Sequence, residues 1–124
     1  MSLESFFNTE LNEWATNIDF YISDLAILEK RLEEVAQKNT KAPVLASVEH
    51  FQNQFIVERE TLRGLKHAVH VNAEKMQEEI KKFSRIHNLD IVDHHSLLRE
   101  SVQLSEKIFL ELKHSFYRFL SKVL

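Results

Sequence analysis

Residues that break or turn a backbone are almost missing from this chain. Pro43 and Gly64 are the only proline and glycine among its 124 residues. Sheets and irregular folds need such residues at frequent intervals, so a few long helices are the expected product. The apolar pattern agrees. From Val44 it recurs at Val48, Phe51, Phe55, Leu62, Leu65 and Val69, in alternating steps of four and three, with Glu58 standing where an apolar residue is due. This is the seam of a helix packed lengthwise on other helices. At Val69 the seam takes two successive steps of four, from Leu65 through Val69 to Ala73, before it settles on Met76, Ile80 and Phe83. An added step of that kind is a stutter, which relaxes a left-handed supercoil.

The pattern predicts helices over about 3–38, 44–87 and 91–123. The first has Ser2 as N-cap, Glu4 in its first turn and a seam of Phe7, Leu11, Trp14, Ile18, Tyr21, Leu25, Leu28, Leu32 and Val35. It ends at Gln37-Lys38-Asn39, with Asn39 expected to take the left-handed C′ conformation. The middle helix, roughly 65 Å long at 1.5 Å per residue, closes on Lys81, Lys82, Arg85 and His87, cations suited to a C-terminal dipole. Asp90 or Asp93 is expected to cap the third helix, whose seam is His95, Leu98, Val102, Ser105, Phe109, Leu112, Phe116, Phe119 and Val123. Connections this short force neighbouring helices antiparallel. The predicted fold is therefore all-α: an up-down-up antiparallel three-helix bundle with coiled-coil-like heptad packing, residues 1–124 forming one domain. The many rings in the seams call for a core thicker than that of a two-stranded coiled coil.

Composition narrows the function classes. Hydrophobic residues make up 44% of the chain, enough for a packed core. A net charge of −3 with the two signs interspersed leaves no electrostatic footprint for nucleic acid. With no cysteine there is neither a disulfide framework nor a thiolate ligand, which fits a reducing cytoplasm. The segment from Met1 to Phe7 lacks the basic and apolar regions of a secretory signal. No apolar run approaches the roughly 20 residues that span a bilayer. Lys113 to Leu124 resembles an interfacial amphipathic helix, but its apolar residues continue the third seam, so no membrane partner is expected.

A second stripe on the middle helix is the most informative feature. Val57, Thr61, Gly64, Ala68 and Val71 also follow steps of four and three, to one side of the main seam. Small residues let another helix approach closely, and a mid-helix glycine costs about 1 kcal/mol against alanine. The third helix carries a comparable stripe at Leu97, Ser101, Leu104 and Ile108, and the first adds Phe6, Phe20 and Ile27. Apolar surface in excess of a lone bundle's needs marks an association site. A homodimer, or contact with another helical protein, is expected through Val57, Thr61, Gly64, Ala68, Val71, Leu97 and Leu104. The alternative is that Gly64 only makes room for Phe20 within one subunit.

The seven histidines supply the other candidates. His67, His70 and Glu74 share an outward face. Glu111 and His114 form a single Glu-x-x-His spacing, where di-iron bundles need two such motifs facing inward. His87, Asp90, Asp93, His94 and His95 gather at the second turn and could hold a divalent cation, though capping and solvation account for them. No metal site and no cofactor is expected. Glu58 is expected to bend to solvent beside Arg59, or else to meet Arg118 and Lys122 across the bundle. Ser105 is expected to bond a carbonyl of its own helix. A chain with one glycine can build neither a phosphate loop nor a nucleophile elbow, so no catalytic residues are expected. The function that follows is that of a non-enzymatic scaffold or adaptor working through helix–helix contacts. The alternative is a bundle that binds a metal ion or small molecule through its histidine and carboxylate groups.

Overall fold

In the computed structural model, which describes residues 1–124, three helices take up nearly the whole chain: α1 (Leu3–Lys38), α2 (Ala42–Phe83) and α3 (Leu89–Val123). They pack up-down-up without a strand, α1 against α2 most extensively, while the backbones of α1 and α3 approach least. α2 runs unbroken through Gly64 for 42 residues, about 63 Å at 1.5 Å per residue.

The predicted seams form the core. Every predicted seam residue of α1 is buried except Tyr21, which packs half-buried against the core. On α3 the predicted seam lies inside from His95 to Phe116, with Leu120 also buried and Phe119 and Val123 packed against the core. Phe55 and Phe116 are fully enclosed and meet edge to face, with centroids 5.2 Å apart. Phe51 packs against both Phe116 and Phe119, at 5.3 and 5.2 Å. Rings of this size fill the space between three helices and account for several kcal/mol each of core stabilisation, on the order of 1.5–3. Near the end of α3, Phe116, Phe119, Leu120 and Val123 are thus occupied with the core. No helix is long and apolar enough to cross a membrane.

The helix ends correct four expectations. Ser2 caps α1 as predicted, its side chain accepting from the Ser5 N–H at 3.1 Å. Asn39, however, is extended rather than left-handed, and its Nδ2 donates to the Val35 carbonyl at 2.9 Å, satisfying the helix end with a side chain instead of a left-handed turn. α2 starts two residues early, at Ala42, with Pro43 in its first turn, where a missing N–H costs nothing. It stops at Phe83, not 87, because Ser84 takes φ 60° and closes the last turn onto the Ile80 carbonyl at 2.9 Å. Phe83 therefore leaves the seam, 46% exposed and stacked on His87 at 4.4 Å, and Ile86 packs against the core in its place. Asn88, not Asp90 or Asp93, caps α3 by accepting from the Asp90 N–H at 2.9 Å, so that α3 begins at Leu89.

Carboxylates tie down the turn between α2 and α3. Glu79 accepts from the N–H groups of His87 and Asn88, at 3.1 and 3.2 Å. Glu4, at the start of α1, accepts from Ile86 at 2.8 Å, and that bond holds its carboxyl below the usual range. Three donors that a short turn would leave open are thereby paired.

Candidate functional site

The two faces of α3 differ. Toward α1 its polar side chains are closed into pairs. Arg99 grips Glu10 with both ends of the fork, Nε to Oε2 at 2.7 Å and Nη2 to Oε1 at 2.5 Å. His95 Nε2–H donates to the same Oε1 at 3.0 Å. The His95 ring is 2% exposed, stacked on Phe7 at 3.7 Å and leaning on Trp14 at 4.8 Å. The Arg99 bond holds the Glu10 carboxyl below its ordinary range, whereas burial outweighs Glu10 and pushes the His95 ring down toward its neutral form. Further along, Lys113 Nζ meets Asp24 at 2.6 Å and the Tyr21 hydroxyl donates to Glu106. Burial and that carboxylate push the Tyr21 hydroxyl up.

Toward α2 no such pair crosses. An open groove runs there instead. One stretch, of about 390 Å³, is lined by Thr61, Gly64, Leu65 and Ala68 from α2 and Ser101, Leu104, Ser105 and Ile108 from α3. A second, of about 510 Å³, continues it past Ile108 and is lined by His50, Asn53, Gln54, Val57 and Glu58 with Glu111, Leu112 and Ser115. Two buried polar atoms without a partner belong to this groove, Glu58 Oε1 and Ser105 Oγ. Their residues are 5% and 7% exposed. Burial alone raises the Glu58 carboxyl above its ordinary value.

The structure thus brings Thr61, Gly64, Ala68 and Leu104 into one wall-and-floor arrangement, with Val57 at its continuation. Leu104, Val57 and Leu97 stand well out in solvent, while Val71 is half-buried. Leu97 and Val71 line neither stretch. Phe6, Phe20 and Ile27 are exposed on α1, away from the groove. Gly64 does not make room for Phe20: a Cβ built on it meets nothing within 4 Å, and Phe20 is 63% exposed.

Other expectations change as well. Glu58 neither bends to solvent nor meets Arg118 or Lys122; Arg59 turns away from it to pair with Glu29 on α1. Ser105 makes no bond to its own helix. The histidines disperse. His70 pairs with Glu74 on an exposed face at 2.9 Å, His87 stacks on Phe83, and His95 points into the core. No group of three or more His, Asp or Glu side chains is arranged to hold an ion. Sequence reasoning missed Glu10 as the partner of His95, although a histidine inside an apolar seam signals that a buried acceptor must exist. It also missed His50, Gln54 and Ser115, whose positions on two different helices carry no signal until the helices are docked, and it read Glu111 only with His114, not as part of the groove. Comparison with protein-family models, curated proteins and solved structures found no match.

Proposed function

We propose that this chain is a non-enzymatic scaffold or adaptor, and that it works by receiving a helix, from a second copy or from another protein, in the groove between α2 and α3. One observation carries this reading: the small-residue stripe of α2 and the apolar stripe of α3 meet along an open groove, with Gly64 facing empty space. A mid-helix glycine that relieves no internal crowding has a use if another backbone must come close. Leu104 and Val57, exposed at its rim, supply apolar surface to such a helix. A cytoplasmic place is proposed on the same terms, since a chain without cysteine needs no oxidising compartment to fold.

The test compares wild type with Gly64→Leu as bait in native lysate, alongside light scattering of each alone. A Cβ at this position meets nothing within 4 Å, and the remainder of the leucine projects toward the groove. Loss of self-association or of a captured helical protein is expected. Equal recovery and equal mass for both forms would end this reading.

A second reading, a small-molecule site, rests on the cleft around Glu58. Its unpartnered carboxyl lies with His50, Asn53 and Gln54 beside apolar Ile108 and Leu112, the mixture expected of a pocket for a small organic cation. A thermal shift with simple alkylamines, abolished by Glu58→Gln, would favour it over the adaptor.

A further inference from the structure

The α2 stripe places a valine at equal distance on either side of Gly64. Val57 and Val71 stand seven residues before and after it, Thr61 three before and Ala68 four after. Further out, Asn53 and Lys75 lie eleven residues to either side, and His50 and Glu78 fourteen. An isologous contact requires a self-complementary surface, since a two-fold axis across the helix sets each residue before the axis against the position equally far after it.

We propose that two copies of this chain pair through the α2–α3 groove, their α2 helices antiparallel and crossing at Gly64; this specifies the occupant of the groove and rests on the adaptor reading above. The missing Cβ of Gly64, with nothing within 4 Å of its place, lets the two backbones approach at the axis. On either side Val57 meets Val71 of the second copy, while Thr61 faces His67 and Ala68 faces Glu60, so an apolar valine pair flanks the axis at each side. At its ends His50 faces Glu78 of the second copy and Asn53 faces Lys75. Parallel pairing would instead set Lys75 on Lys75 and Glu78 on Glu78, a like-charge cost at both positions.

The orphan polar atoms of the groove support the same occupant. Glu58, 5% exposed with Oε1 unpartnered, shares its cleft with Asn53. Lys75 of the second copy, opposite Asn53, brings an ammonium to that cleft, and within one chain Lys75 makes no ion pair. Ser105, 7% exposed and also without a partner, stands in the stretch of groove that holds Gly64. A cation meeting Glu58 converts a costly buried carboxyl into a paired one.

Because the chain has no cysteine, single introduced thiols read the geometry directly. Gly64→Cys is expected to cross-link to its own copy under mild oxidation. Val57→Cys and Val71→Cys are each expected to stay uncross-linked alone, since each lies about 21 Å from its copy at 1.5 Å per residue, yet to cross-link when the two are mixed. Lys75→Glu should loosen the dimer about tenfold, with Glu58→Lys added to Lys75→Glu recovering it. Self-cross-linking of Val57→Cys or Val71→Cys would overturn the antiparallel register. A monomeric mass at micromolar concentration, with no cross-link at Gly64, would overturn self-pairing. If that monomer also loses a different helical partner on Gly64→Leu, the groove reading survives; if it loses none, both fall.

Discussion

Helix α3 borders its two neighbours in opposite ways. Along α1, every buried or half-buried polar side chain has a mate: Glu10 takes Arg99 and His95, Asp24 takes Lys113, and Glu106 takes Tyr21. Along α2, two buried polar side chains have none, and the helices leave a groove between them. Both boundaries contain a polar residue at a seam position, His95 in one and Glu58 in the other, and both residues are almost fully enclosed. The difference teaches that burial alone does not mark a functional face. A buried polar group that is completely partnered is accounted for by the fold, whereas one left open is not.

Substitutions should separate the two boundaries by sign. Glu10→Ala strands Arg99 and the buried His95 at once and is expected to cost about 3 kcal/mol in urea unfolding. A loss of a few tenths would mean that the α1–α3 pairs are ornaments of a surface. Glu58→Met removes an unpartnered carboxyl from an enclosed position and should stabilise the isolated subunit by about 1–2 kcal/mol. Destabilisation by the same change would show that Glu58 has a partner after all.

Acidification sharpens the contrast. The folded chain holds the His95 ring below its ordinary value of 6.5 and the Glu10 carboxyl below 4.5. Each group contributes stability that is present above those values and is lost as the pH falls through the depressed folded value. Glu58 acts in the opposite sense: its raised carboxyl contributes stability when protonated and loses it as the pH rises through the folded value. Stability should therefore begin to decline below about pH 6.5 through His95, with Glu10 adding to the loss below about pH 4.5 and Glu58 offsetting part of it. Thermal melts from pH 7 to 3 should show a steeper acid decline in Glu58→Met than in wild type. Matching declines would remove the distinction between the two seam residues.

The smallest effect belongs to Gly64→Ala. With open space at the Cβ position, the change should stabilise the isolated helix by about 0.5–1 kcal/mol while weakening any association that needs the close approach. Unfolding at low concentration and sedimentation at high concentration read the two parts separately.

Several features were legible from residue order alone because they depend on period. Helix number, antiparallel order and nearly every core position follow from steps of three and four in a chain with one glycine and one proline. Ser2 as a cap is equally local. Asn39, Ser84 and Asn88 were harder, because several conformations satisfy a helix end and the choice among them depends on neighbours such as Glu79 and Glu4. The stripe on α2 could be seen as a pattern, but whether it faced Phe20 or open space could not.

Periodicity fixes which face of each helix turns inward, since the repeat is a property of one segment. Tertiary structure alone decided which inward or flanking polar groups met: that Glu10 reaches His95 and Arg99, that Arg59 leaves Glu58 for Glu29, and that the stripes of α2 and α3 border one groove. Pairing across helices depends on their rotation and offset against each other, and a one-dimensional repeat carries neither.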